Sequence, residues 1–487
     1  MTGDHHRPEP KEDTARESAQ AQRARDAEEL RRLGYMQQLL RDMGGFSNFA
    51  LSFSIISVLT GAVTLYGHGL RFGGPLVMSV GWPLVTVMTL TVAASLAELA
   101  SAIPTAGALY HWSATLGGRG WGWLCAWLNT IGQFAITAGI DYGLAEFVAT
   151  MLDLPSERST VLPIYAAILV SHGVLNHVGV RVVAVLNWLS AWYHLVGVAL
   201  LVGLLAAIAP KREASFLLTA FTSENRPYAY AFLVGLLQAQ WTFTGYDASA
   251  HVTEETVDPR RNAPWGTFLS VAVSGVAGYL MLLAVTLSIQ DLPAAAAASN
   301  PFVFVLRSAL GEWLGNVVVW MVLGAMWFCG LSSITSNSRM LFAFARDGGL
   351  PASKAVARVS PRFKSPHVAV WVSVIAAFAV AVWAQAYSAM VALSTVALYA
   401  SYAMPIAAGL RARRAERFGE RGPWNLGRWS TLVNAIALVW VAAITVLFVL
   451  PPNELAGYTF AGCLVLLGLY WFGAMRKRFR GPPPIRA

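Results

Sequence analysis

A threonine and a glycine side by side, in the middle of an apolar run long enough to span a bilayer, restrict this chain more than any other feature. Thr60-Gly61 interrupts residues 49–70, and Thr244-Gly245 interrupts residues 228–253. Glycine weakens a helix by roughly 1 kcal/mol relative to alanine, and threonine competes for backbone hydrogen bonds. In lipid, unwound backbone is tolerated only where it faces protein or a water-filled cavity. Interruptions paired between two halves of a membrane chain are the strongest sequence pointer to a transporter's central site.

The rest of the chain fits that setting. Of its 487 residues 56% are hydrophobic and only 13% charged, which predicts an all-α polytopic membrane protein. About twelve apolar runs approach the ~20 residues that a transmembrane helix needs. Residues 1–45 form a charged tail in which 14–33 suits a surface helix, and no cleavable signal peptide precedes it. Residues 476–487 form a second tail. The net charge of +9 invites a nucleic-acid reading, but the basic residues cluster in alternate loops, most densely at Arg411, Arg413 and Arg414 and at Arg476, Lys477, Arg478 and Arg480. The positive-inside rule accounts for that pattern, placing both termini in the cytoplasm beneath a plasma (inner) membrane. Lipid headgroups satisfy the charge without a nucleic-acid partner. Three scattered cysteines, Cys125, Cys329 and Cys463, argue against a disulfide framework or a metal site. Without a zinc-protease motif, a nucleophile elbow, a phosphate loop or a channel filter, the chain reads as neither an enzyme nor a channel. It needs no cofactor and takes no direct drive from ATP.

The two interruptions open two sets of about five spans, residues 46–210 and 228–411. An odd number per set inverts the second in the membrane, the inverted-repeat plan of secondary transporters. Residues 428–475 supply two further spans for packing against lipid or a second copy. Residues 291–307 read as a long external loop with an alanine run.

Unwound backbone serves a zwitterion at both ends: free amides at a half-helix N-terminus attract a carboxylate, and free carbonyls accept from an ammonium. The competing reading is a packing glycine in a crowded helix pair. Trp241, just before the second interruption, suits closure over a substrate or a cation. Asp247, just after it, is an acid within the membrane and so a functional candidate by default. Asp141 is expected toward the outer end of the third span, facing the external access path. His194, midway along the fifth span, titrates near physiological pH. Ser332 and Ser333 in the eighth span are adjacent hydroxyls of the kind a sodium ion prefers. Glu98 suits a structural or gate role.

Four segments in register carry a family resemblance: Gly44-Gly45-Phe46-Ser47-Asn48-Phe49, Ala97-Glu98-Leu99-Ala100 through Pro104-Thr105-Ala106-Gly107, Thr244-Gly245-Tyr246-Asp247 through Glu254-Glu255, and Ser338-Arg339-Met340 through Arg346-Asp347-Gly348. On these the chain resembles the amino acid–polyamine–organocation superfamily of permeases, in its amino acid/choline branch. The resemblance implies the leucine-transporter fold, a 5+5 inverted repeat with broken first and sixth helices, and alternating access. It places a substrate carboxylate at Ser57, Thr60, Gly61 and Ala62 and the amine at Thr242, Phe243 and Gly245. It makes Trp241 and Asp247 gating residues. It also sets His194 where some proton-coupled relatives carry a lysine, and Ser332 and Ser333 where sodium-coupled members hold an ion, with His194 close enough to donate to either. The expected function is import of an amino acid or a related amine such as γ-aminobutyrate, coupled to protons. The alternatives are a sodium-coupled or exchange-type permease for choline or polyamine, and a non-transporting sensor or scaffold on the same fold.

Overall fold

Helix length follows from the thickness of the apolar layer a helix crosses, at 1.5 Å per residue. The computed structural model describes residues 11–155, 157–384, 387–416 and 418–483; residues 1–10 and 484–487 of the expected tails lie outside them. Among the described residues every regular element is a helix, beside a single bridge between Met43 and Thr256. A polar helix α1 (Lys11–Arg32) precedes the first crossing, which is made of α2 (Gly45–Ile56), α3 (Gly61–Thr64) and α4 (Tyr66–Gly73). Then follow α5 (Trp82–Ala102), the short α6 (Leu109–Gly117), α7 (Arg119–Met151), α8 (Arg158–Val178) and α9 (Val180–Ile208). The sixth crossing is again broken, into α10 (Tyr228–Gly235), α11 (Leu237–Thr242) and α12 (Ala248–His251). Beyond it run α13 (Pro259–Leu287), α14 (Leu292–Ala297), α15 (Pro301–Leu310), α16 (Glu312–Arg346), α17 (Ser353–Val356), α18 (His367–Trp383), α19 (Tyr387–Arg414), α20 (Ser430–Leu447) and α21 (Glu454–Tyr470).

Among the described residues nine of these segments are both long and apolar enough to cross a membrane. The 33-residue α7, the 17-residue α18 and the broken α10–α12 complete the expected twelve. Burial ranks the crossings from centre to rim. The apolar window of 45–64 is 83% buried and that of α19 is 89% buried, against 28% for α20 and 11% for the last crossing. The broken helices therefore lie inside a sheath of the others, and α20 and α21 lie at the rim. The end carrying Arg411–Arg414 and Arg476–Arg478 is called the basic end below.

One expectation fails. Residues 291–307 are not a loop but the helices α14 and α15. Asp291 and Asn300 cap them, accepting from the amides of Ala294 (3.0 Å) and Val303 (3.2 Å), each with a proline in the first turn. Capping residue, proline and an alanine run together favour a short helix over a loop.

Candidate substrate and coupling site

Both interruptions are real breaks, and they meet. Helix α2 stops at Ile56 because Ser57 turns to a positive φ of 27°, and the chain resumes at Gly61. Among the described residues no backbone carbonyl accepts from the amides of Val58 or Leu59. In the sixth crossing α11 stops at Thr242, and Gly245 takes a φ of 84°, a left-handed value that favours glycine. The Phe243 carbonyl accepts from the Tyr399 hydroxyl, and the Gly245 amide donates to Tyr402 (3.2 Å). The carbonyls of Thr242 and Thr244 have no backbone donor among the described residues. Each glycine packs on the other break: a β-carbon on Gly61 would sit 2.6 Å from Thr242 Oγ1, and one on Gly245 would collide with Ile55. Thr60 and Gly61 of one break and Thr242 and Thr244 of the other thus border a shared space.

That space is a small cavity of about 10 Å³ between buried residues, room for about one water molecule, lined by Ile55, Thr60, Gly61, Ile140, Trp241, Thr242 and Cys329. The Trp241 indole donates to Ser394 (3.0 Å), lies over Gly139, and meets Tyr387 edge-on at 6.4 Å. Tyr387 in turn lines a vestibule of about 330 Å³, with Thr64, Arg71 and Glu146, at the end opposite the basic end. Trp241 and Tyr387 separate this vestibule from the cavity. Ala62 lies beside the break, its carbonyl accepting from Gln238 (3.0 Å).

The structure separates residues that the sequence reading joined. His194 faces break one: Nε2 is 2.7 Å from Ser57 Oγ, and Ser57 Oγ is 2.6 Å from Thr60 Oγ1. His194 Nδ1 is 2.8 Å from the Ser190 carbonyl, an acceptor only, so Nδ1 carries a proton and Nε2 is the variable site. Ser332 and Ser333 are not its partners. Ser332 donates to Asn187 (2.9 Å), Ser333 bonds Thr137 (2.7 Å), and the α16 residue that meets break one is Cys329, whose thiol donates to the Ile55 carbonyl (3.2 Å). Ser332 and Ser333 stand about one helical turn beyond the position that faces the break. Nor does Asp141 face an access path. It is fully buried 3.1 Å from His172, and the carboxylate on the vestibule is Glu146, five positions on and more than one turn nearer the helix end.

Asp247 anchors the basic-end side of break two. It accepts from Tyr402 (2.8 Å) and Asn129 (3.2 Å) and lies 3.1 Å from His251 Nε2, while His251 Nδ1 reaches the Ala106 carbonyl (3.1 Å). Both imidazole nitrogens face acceptors, so the pair holds one proton between Nε2 and the carboxylate.

The sequence has known relatives. The amino acid permease family profile matches residues 43–471. The chain belongs to the amino acid permease family. It is 38% identical to amino-acid permease BAT1 of Arabidopsis thaliana over 93% of this chain and 95% of that protein. A rice homologue of BAT1 is 37% identical over 93% and 94% of the two chains. The GABA-specific permease of Saccharomyces cerevisiae is 26% identical over 95% and 86%. The permease is therefore a multi-pass membrane protein and no enzyme, and its family implies an amino acid as the small-molecule substrate.

The permease's basic end is shut by groups to which the sequence reading gave no role. Glu254 pairs with Arg346 and Glu255 with Arg339, both at 2.8 Å. Arg339 and Arg346 stand seven residues apart on one face of α16, opposite adjacent acids, a pattern visible in the sequence. The N-terminal tail lies over these pairs. Arg346 stacks 4.0 Å above the Tyr35 ring, Tyr35 donates to Asp347 (2.8 Å), and Arg41 donates to the carbonyls of Thr253 and Thr256. Burial, with Asp347 beside it, raises the Tyr35 phenol above its ordinary range and keeps it a donor. Glu98 is structural: it binds Arg413 (2.7 Å) and Ser430 (2.8 Å), tying the end of α19 and the start of α20 to α5.

Trp241→Leu is expected to cut the permease's uptake about tenfold, because a hydrogen bond and an aromatic contact are together worth about 1–2 kcal/mol. Trp121, whose indole donates to the Met404 carbonyl in a surface groove, serves as the control. Equal losses in Trp121→Leu would remove the gating role from Trp241.

Proposed function

We propose that this permease imports an amino acid or a related amine of the γ-aminobutyrate type by alternating access, driven by protons. The observation that carries the reading is the pair of breaks in contact across one small cavity, bordered by Thr60 and Gly61 of the first and Thr242 and Thr244 of the second, each break holding backbone groups without backbone partners. Such a site suits a zwitterion: a carboxylate at Ser57, Thr60, Gly61 and Ala62, an ammonium at Thr242, Phe243 and Gly245. The name of the yeast relative supports a γ-aminobutyrate-like substrate. The chain is read as two five-helix repeats, 46–210 and 228–411, the second inverted, with two added spans at the rim. The basic end is assigned to the cytoplasm and the vestibule to the outside of a plasma membrane, following the positive-inside rule. In that orientation the conformation is closed toward the cytoplasm and shielded from the outside by Trp241 and Tyr387.

His194 supplies a physical route for coupling. Neutral, it accepts at Nε2 from the Ser57 hydroxyl. Protonated, it donates at both nitrogens, and Ser57 must reverse its hydrogen bond, which leaves its own proton free for Thr60 or a carboxylate at the break. Proton binding and anion binding at break one then favour each other. The sodium reading has less support, because Ser332 and Ser333 are engaged by Asn187 and Thr137.

Uptake of a panel of labelled amino acids, γ-aminobutyrate, choline and polyamines into proteoliposomes, under separate proton and sodium gradients, tests this reading. Uptake is expected to rise as external pH falls, without sodium. His194→Lys is expected to impair accumulation more than exchange. Strict sodium dependence, with an unaltered pH profile in His194→Ala, would overturn the role of His194.

A further inference from the structure

Directly behind the cavity wall lies a buried ionisable pair with no part in the scheme above. Ile140 and Cys329 line the cavity. The next residue on each helix is Asp141 on α7 and Gly330 on α16, and the carboxylate is seated where a β-carbon on residue 330 would stand. Asp141 Oδ2 lies 3.1 Å from His172 Nδ1 on α8, and both side chains are fully buried. Asp141 Oδ1 and His172 Nε2 have no hydrogen-bond partner among the described residues. The Trp327 ring lies tilted at 55°, 5.1 Å from the His172 ring, but its indole N–H is committed to Ser171 (3.1 Å).

We propose that Asp141 and His172 form a proton-binding site that loads and unloads as the cavity opens. This rests on the proton-coupled reading above and adds a second carrier beside His194. With His172 neutral and donating from Nδ1, the pair is a net anion in an apolar layer, which is costly without a counter-charge. The titratable groups facing it are Tyr165 on α8, which donates to the Ala377 carbonyl (2.8 Å); Cys329 on α16, which donates to Ile55; and Tyr387 on α19, beside Gly143. Helix α18 brings Val370, Val374 and Ala377 to this level. None of these groups is a cation. A proton taken from water onto the bare Nε2 lone pair makes an imidazolium–carboxylate pair of zero net charge, and the reverse step returns the proton to water. Access is set by the cavity: closed, it holds about one water; opened at either end, it brings water to the Ile140–Cys329 wall.

The site is tested on the purified full-length protein by acid-minus-alkaline infrared difference spectroscopy, in wild type, Asp141→Asn and His172→Gln. The His172 imidazole bands, and the shift of the Asp141 carboxylate stretch that the new imidazolium causes, are expected to vanish in both variants. His172→Gln keeps the test readable if Asp141→Asn does not fold. In proteoliposomes under a proton gradient, accumulation of labelled γ-aminobutyrate is expected to fall about tenfold in the variants, within the usual range of coupling between sites, and counterflow exchange to fall less. Difference spectra in both folded variants that match the wild type would overturn the site. A wild type that shows these bands but no proton-driven uptake would overturn the coupled reading on which the proposal rests.

Discussion

Replacing Gly61 or Gly245 by leucine is expected to abolish uptake while leaving the protein in the membrane. The two changes act through different physics at one place. At Gly61 the first added carbon already meets Thr242 on three atoms within 2.9 Å, including its Cα, so break two must move. At Gly245 a side chain is strained at a φ of 84°, by about 1–2 kcal/mol, before it reaches Ile55. A leucine at 61 brings four carbons to a cavity with room for about one water, and a leucine at 245 collides with Ile55, which lines that cavity, so either change is expected to fill or deform the substrate space. Surface expression checks that folding survives, and uptake into vesicles reads the loss. Wild-type transport by either variant would detach the breaks from the substrate path.

How much of this was legible in the sequence depends on whether the signal is local. The breaks were legible, because glycine and threonine weaken a helix wherever they stand, and a membrane-length run makes the weakness visible. The crossings were legible for the same reason: a length and a hydropathy suffice. Helices α14 and α15 have a readable half, since Asp291 and Asn300, each followed closely by proline, announce helix starts, but the alanine run between them suits a loop as well as a helix. The pairing of side chains was not legible. The expected neighbours of His194 are Ser332 and Ser333, but a shift of about one turn on α16 puts Cys329 at break one instead, and no single sequence fixes that register. The position of Asp141 along α7 points to the outer mouth, whereas its azimuth turns it toward His172 on a neighbouring helix. The ion pairs at the basic end had a readable half, the seven-residue spacing of Arg339 and Arg346. Their match to Glu254 and Glu255 needed the fold.

Arg339→Met is expected to cost far more stability than the double change Arg339→Met with Glu255→Leu. Arg339 and Glu255 are essentially without solvent exposure, with Arg339 Nε 2.8 Å from one carboxylate oxygen and its Nη2 3.5 Å from the other, while Nη1 donates to Ser338 (3.1 Å). Removing one partner of such a pair leaves an uncompensated charge and costs about 3–5 kcal/mol, whereas replacing both with apolar groups of similar volume is often neutral. The single variant should therefore melt well below the wild type in detergent and reach the membrane poorly, and the double variant should recover most of the loss. The backbone on the Glu255 side supports the recovery, because its carbonyl accepts from the amides of Asp42 and Met43 (3.1 and 2.9 Å) whatever side chain it carries. Arg346→Met is a parallel case: Arg346 keeps 13% exposure, but Glu254 has none, so the abandoned carboxylate is again a buried, uncompensated charge and a similar penalty is expected. Equal melting temperatures for Arg339→Met and the double variant would show that the guanidinium matters by its shape and packing rather than as the counter-charge to Glu255.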